Sequence, residues 1–305
     1  MFDFLNLIRW KNLLMLALVQ LLIKYALLEP FGVQTSLNGL EITLLILATI
    51  CIAAAGNIIN DINDIETDFI NKPDKIIVGK SISEKVAYNL FIIFNVVGVG
   101  IGFYLSQAIG RSGFFSIFVI ISVLLYIYAT YLKRTLLIGN IIISALVALS
   151  IIIVGIFELL PATSALNQQT QFVFFKVVLD YALFAFSINL LREIVKDIED
   201  IDGDYKAEMN TLPIAIGRER ARNVVSILNL FPLIAIILYT ISNLYKQPVA
   251  VGYFLLFIIG PLLYTCIKTF SATTKKDFHH LSNMYKIIML FGMLSLLLYK
   301  YIILK

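Results

Sequence analysis

The chain has 305 residues, of which 60% are hydrophobic and only 14% charged, with a formal net charge of +4. Its mean hydropathy is +0.90. Soluble globular domains carry roughly 25% charged and about 45–50% apolar residues. A water-surrounded globule is therefore excluded, lipid must solvate most of the surface, and the small net charge gives no ground for a nucleic-acid partner.

Taken in chain order, Arg9 and Lys11 precede an apolar run from Asn12 to Leu28. Glu29-Pro30 follows where a cleavable leader would carry small residues, so the run reads as a first membrane-spanning helix. Further apolar runs fall near 39–60, 84–107, 113–132, 136–158, 171–191, 222–242, 248–268 and 285–303. Each approaches the ~20 residues that a spanning helix needs. The expected fold class is all-α: a polytopic membrane protein of about nine spans, one domain over residues 1–305. The weakest boundaries are 107–113 and 132–136, marked only by Gly110-Arg111-Ser112-Gly113 and Lys133-Arg134. Cys51 and Cys266 sit inside apolar runs and read as small buried hydrophobes rather than as a disulfide or metal pair.

Lys and Arg in short connections set orientation. With the N-terminus inside, the inner face collects Arg9, Lys11, Lys72, Lys75, Lys80, Lys85, Lys133 and Arg134. It also collects the bases from Arg192 to Arg222 and from Lys268 to Lys286. The outer face keeps few, and the 159–170 connection has none. The N-terminus is thus expected to be cytoplasmic, in the cell membrane.

Acidic residues are more unevenly placed still. Asp61, Asp64, Glu66, Asp68 and Asp74 follow the second run; Glu193, Asp197, Glu199, Asp200, Asp202, Asp204 and Glu208 follow the sixth. Those two windows hold 12 of the 20 acids and fall on the cytoplasmic side. Asp61, Asp64 and Asp68 share their D-x-x-D-x-x-x-D spacing with Asp197, Asp200 and Asp204, four spans later, as an internal repeat would. On a helix, Asn60, Asp64 and Asp68 lie on one face and Asp61 beside them. Such carboxylates repel one another, and a charge in a membrane helix costs about 2.5–3.5 kcal/mol, so a cation must compensate them. Mg²⁺ takes one or two carboxylates and fills its octahedron with phosphate oxygens and water. Two facing stripes point to two Mg²⁺ ions bridging to one diphosphate, with Lys75, Lys133, Arg134, Arg192 and Lys196 neutralising its outer oxygens.

Other readings fit less well. An EF-hand needs a 12-residue loop with Gly at its sixth position and Glu at its twelfth, which neither segment supplies. A CDP-alcohol phosphotransferase needs an Ala-Arg pair after its glycine, whereas Gly203 is followed by Asp204-Tyr-Lys-Ala207-Glu208. A cation transporter would place its acids near the bilayer midplane. His279 and His280 read as solvated loop residues. Tyr and Phe read as span filler and interfacial belts, some lining an apolar tunnel.

At these residues the sequence resembles the UbiA superfamily of intramembrane prenyltransferases. Its first motif, N-D-x-x-D-x-x-x-D, matches Asn60, Asp61, Asp64 and Asp68; the N-x-P-x-R stretch matches Asn71-Lys-Pro73-Asp-Lys75, with Lys in place of Arg. Its second motif, K-D-x-x-D-x-x-x-D, matches Lys196, Asp197, Asp200 and Asp204. A middle motif matches Tyr128, Leu132, Lys133, Gly139 and Asn140, and Arg9-Trp-Lys-Asn12 is similar to the family's R-P-x-N opening. The resemblance implies nine helices around a central cavity, with cytoplasmic cap segments carrying the motifs. It implies Mg²⁺-dependent transfer of a prenyl group from a polyprenyl diphosphate to a lipophilic acceptor. Asn60, Asp61, Asp64, Asp68, Asp197, Asp200 and Asp204 are the implied metal set. Arg9, Asn60, Lys75, Tyr128, Lys133, Arg192 and Lys196 are the implied diphosphate set, with Asp64, Asp68, Lys133, Asp200 and Asp204 central to catalysis. The stretch from Arg192 to Asp204, followed by Thr211-Leu-Pro213-Ile-Ala-Ile-Gly217, is most similar to the branch that prenylates geranylgeranylglyceryl phosphate. The alternative is an aromatic prenyltransferase of quinone biosynthesis, with hydroxybenzoate or dihydroxynaphthoate as acceptor.

Overall fold

The computed structural model describes residues 2–300, with only the backbone of Lys75. Among these residues nine helices are long and apolar enough to cross a membrane: Trp10–Phe31, Gly39–Asn63, Glu84–Ala108, Ser112–Thr130, Ile138–Glu158, Gln168–Lys206, Arg218–Leu244, Pro248–Ser271 and Lys275–Leu298. The described chain is otherwise short helices and turns, with one isolated bridge between Val78 and Ile82. The all-α expectation and the span count both hold.

Local chemistry explains several helix starts. Asn38 caps the second span: its side chain accepts from the amides of Leu40 and Glu41, and Glu41 accepts from the Asn38 amide. Thr274 and Asp277 form the same reciprocal box at the ninth. That box starts the last helix at Lys275, ten residues before its apolar run begins at 285. His279 and His280 consequently stand on a helix rather than in a loop. His279 Nδ1 lies 3.0 Å from Glu199, and His280 Nε2 lies 2.9 Å from the Tyr264 hydroxyl. The largest departure is the sixth helix, which continues unbroken for 39 residues, from Gln168 through the second acidic motif to Lys206.

The second span packs on the third, the fifth on the sixth, and the sixth on the ninth. Side chains from Ile42 to Ile52 meet those from Ile151 to Phe157 in one apolar cluster at the end away from the acidic motifs. Ile188 to Ile198 pack with the last three spans in a second. A small third cluster, including Ile58, Ile59, Ile62 and Ala129, supports the first acidic motif. Beside these clusters lies a cavity of about 980 Å³ whose lining includes both acidic motifs.

Candidate active site

The first motif is not one continuous helix. Asp64 ends the second span with φ −99° and ψ 4°, and a short helix, Ile65–Asn71, restarts after it. The expected single carboxylate stripe is therefore bent at its middle residue. The bend frees Asp64 to take two partners: Asn60 Nδ2 donates to its Oδ2 at 2.6 Å, and Lys133 forms an ion pair with its Oδ1. The second motif stays helical, so Glu193, Asp197, Asp200 and Asp204 fall on one face, as their spacing predicts.

The structure brings both motifs to one cavity. Asn60, Asp61, Asp64, Asp68, Asp197, Asp200 and Asp204 all line it, as do Arg9, Tyr128, Lys133, Arg192 and Lys196. The side chain of Lys75 lies outside the described residues. Within the cavity several of these groups already have partners. Asp61 accepts from Arg9 at 2.8 Å, and Asp197 accepts from Asn140 at 2.7 Å. Glu193 sits between Arg192, at 2.6 Å, and Lys196, at 3.0 Å.

Lys72, read from sequence only as an inner-face base, spans the two motifs: its Nζ lies 2.5 Å from Asp200 Oδ2. Lys72 is four residues after Asp68, and that spacing was the available signal that it faces the site. Asn140 and Asn71 were visible as motif letters without a role. Lys286 faces the cavity with no motif to mark it, and Glu193, noted from sequence as an acid of the second window without a role, faces it too.

Electrostatics outside the spans follow from this packing. Burial and the Asp64 carboxylate push Asp68 up to about 6, against the pull of Lys72. Burial opposes the Lys72 charge, yet Asp200 beside it raises the ammonium above its ordinary value. Arg9 is raised likewise: burial works against it and Asp61 more than compensates. Arg9 also holds a left-handed backbone, φ 53°, at the break between a short N-terminal helix and the first span. A non-glycine residue adopts that conformation only when its surroundings require it; here it brings the guanidinium to Asp61.

The donor chemistry fits a hard divalent cation. Asp64, Asp68, Asp200 and Asp204 present only oxygen, and Asp200 Oδ1 is buried with no hydrogen-bond partner among the described residues. No three acidic, His or Cys groups among those residues are gathered closely enough to hold an ion unaided. A cation here needs oxygens from elsewhere, and phosphate oxygens are the usual ones for Mg²⁺.

Comparison with known proteins gives the same picture. Residues 15–298 match the UbiA prenyltransferase family. The digeranylgeranylglyceryl phosphate synthase of Methanosphaera stadtmanae is 31% identical over 256 residues, covering 82% of this chain and 86% of that protein. The enzyme of the same name from Methanococcoides burtonii is 30% identical over 296 residues, covering 96% and 97%. A solved structure of a digeranylgeranylglyceryl phosphate synthase superposes with a TM-score of 0.63 at 24% identity, over 98% of this chain and 97% of that one. A UbiA homolog from Archaeoglobus fulgidus bound to GPP and Mg²⁺ gives 0.57 at 16% identity, over 96% and 99%. With nine candidate spans among the described residues and both acidic motifs lining one cavity, the chain belongs to the UbiA prenyltransferase family.

Proposed function

We propose that this prenyltransferase moves a geranylgeranyl group from its diphosphate to the free hydroxyl of geranylgeranylglyceryl phosphate, forming an ether lipid. The observation that carries this reading is near-full-length similarity, at 30–31% identity, to enzymes named digeranylgeranylglyceryl phosphate synthase. Retention of the whole Arg192–Asp204 segment within one continuous helix supports it.

The donor diphosphate sits between the two motifs. Asp64, Asp68, Asp200 and Asp204 would hold two Mg²⁺ ions there, with Asn60 orienting Asp64. Bound in that position, Mg²⁺ supplies Lewis-acid stabilisation of the charge building on the leaving diphosphate. Lys133 and Lys72, paired with Asp64 and Asp200 in the structure, are placed to reach phosphate oxygens of the donor. The allylic C–O bond breaks with its electron pair leaving on the diphosphate, the acceptor oxygen bonds to the same carbon, and the hydroxyl proton passes to the released diphosphate. Apolar walls, among them Leu13, Ile52, Phe118, Ile143 and Leu146, exclude water that would otherwise intercept the allylic cation. The motifs face the cytoplasm, from the distribution of Lys and Arg.

The test is transfer by the purified protein supplied with geranylgeranyl diphosphate, Mg²⁺ and one acceptor at a time. We expect the digeranylgeranyl ether from geranylgeranylglyceryl phosphate and nothing from dihydroxynaphthoate. Turnover of the aromatic acceptor alone would reverse the assignment.

A further inference from the structure

Several basic side chains line the cavity near the start of the second motif. Arg9, Arg192, Lys196 and Lys286 all line it. The charges acting on Lys286 are those of Arg192, Lys196, Arg9 and Glu193. Glu193 is already bonded to both Arg192 and Lys196, and Asp61 is taken by Arg9. Lys286 has neither a hydrogen bond nor an ion pair among the described residues, and Arg192 Nε is buried without a partner. Glu193 and Asp61 are thus already engaged, and Lys286 is left without a counter-ion of its own in a partly buried wall, a position that an anion entering the cavity would complete.

Arg192 stands apart from the metal-facing aspartates, with Lys196, one turn before Asp200, between them. Arg192 precedes Asp200 by eight residues on an unbroken helix, about 12 Å along the axis. Lys286 comes from the ninth span, which packs against that helix, and Met289 and Met293 follow it at i+3 and i+7. All three line the cavity, so one face of the ninth helix offers an ammonium followed by an apolar track. That sequence of surfaces fits a lipid with an anionic head. A phosphate monoester carries about −1.5 to −2 near neutral pH and would give Lys286 the counter-ion it lacks.

We propose that Lys286, with Arg192 and Lys196, forms a second anion subsite that holds the phosphate monoester of the acceptor lipid, apart from the donor subsite at Asp64 and Asp200. The inference rests on the ether-lipid reading above. The phosphate anchors the acceptor, its prenyl chain runs along Met289 and Met293, and the free hydroxyl is turned toward the donor carbon. Arg192 and Lys196, implied by the family resemblance to serve the donor, serve the acceptor instead.

The experiment is steady-state kinetics of the full chain in nanodiscs, with geranylgeranylglyceryl phosphate and its dephosphorylated counterpart as acceptors. Replacing Lys286→Gln should raise the KM for the phosphorylated acceptor by about tenfold or more with little change in donor KM, and shrink the preference for phosphate over hydroxyl equally. Lys286→Arg should restore most of that preference. Inorganic phosphate should compete with the acceptor only far above the acceptor's KM; equally tight competition would mark a site for free phosphate and overturn the assignment. An increase confined to donor KM, or no change in either KM, would also overturn it. If wild type uses both acceptors equally well, the subsite fails and the ether-lipid reading stands. Turnover of neither would refute that reading and this inference with it.

Discussion

Asn71 clasps Gly203 across the cavity mouth. The Gly203 amide donates to Asn71 Oδ1 at 3.0 Å, while Asn71 Nδ2 donates to the Asp200 carbonyl at 2.9 Å. The residue following the first motif is thereby bonded to the backbone of the second, and Lys72 adds an ion pair to Asp200 alongside. The contact needs a glycine, because a Cβ at position 203 would lie 2.3 Å from Asn71 Nδ2. Gly203→Ala should push Asn71 out and spread the motifs. Two lost bonds of about 1 kcal/mol each leave the fold standing. A spread of about 1 Å in positioning costs on the order of 10²-fold in rate. Transfer assays beside thermal unfolding check this: we expect a large fall in kcat with a small fall in Tm. Near-native turnover would show that the motifs are held by other contacts.

Lys133 should act on donor binding through Asp64. The pair is largely buried, with Lys133 9% and Asp64 17% exposed, so each side chain depends on the other. Asp64→Ala is expected to abolish transfer while membrane insertion persists, and Lys133→Ala to raise the donor KM severalfold or more, since a charge-assisted bond contributes about 1.5–3 kcal/mol. Gly139 offers an indirect check, because a Cβ there would lie 2.6 Å from the Leu132 carbonyl and 2.8 Å from Lys133 Cα. Gly139→Ala should reproduce a milder form of the Lys133→Ala defect without touching the diphosphate. Unchanged donor KM in both variants would return Lys133 to the role of an inner-face anchor.

How far the sequence could be read depended on the signal each feature leaves. The nine spans were legible because lipid demands long apolar runs, and the two motifs because their shared spacing survives in an acid-poor chain. Helix ends were less so. Hydropathy follows lipid contact rather than hydrogen bonding, so the sixth helix was expected to stop at 191 although its backbone runs on to Lys206. The bend at Asp64 leaves no mark in composition. Lys72, read only as an inner-face base, meets Asp200 at 2.5 Å. Lys286 lies 82 residues beyond Asp204 in the chain and faces the same cavity only because the ninth helix packs on the sixth.

The requirement for Mg²⁺ should depend on pH through Asp68. Burial and Asp64 push this carboxyl up to about 6 from its ordinary 3.8. Only the ionised form is a ligand, so below about pH 6 each bound ion must displace a proton, and apparent Mg²⁺ affinity should fall by up to about tenfold per unit. The metal-free fold changes in the opposite sense. It binds this proton more tightly than the unfolded chain does, so its stability rises as pH falls from about 6 toward 4. Mg²⁺ titrations of the transfer rate at about pH 5 and about pH 7 measure the first effect. Asp68→Asn should weaken Mg²⁺ activation at both values and flatten the slope between them. An equal slope in the variant would assign the titration to another group.

At the end of the cavity away from the motifs, Lys24 and Glu158 form a pair whose strength lies in burial. Their side chains are 2% and 0% exposed, and Lys24 Nζ lies 2.9 Å from Glu158 Oε1. Lys24 also donates to the Leu37 carbonyl at 2.6 Å and to Thr35 Oγ1 at 3.1 Å, while Glu158 Oε2 accepts from the Leu37 amide at 3.1 Å. The pair therefore pins the connection between the first two spans to the end of the fifth, closing the apolar cluster that keeps this end of the cavity dry. Removing one partner strands the other charge in a low dielectric, which typically costs about 3–5 kcal/mol. Lys24→Met and Glu158→Leu should each lower Tm in detergent markedly. The double variant replaces both charges with apolar groups and should recover much of the loss, because well-packed hydrophobic replacements of buried pairs are often neutral. Additive losses in the double variant would mean that the two charges act independently, and that the connection is held by its backbone bonds alone.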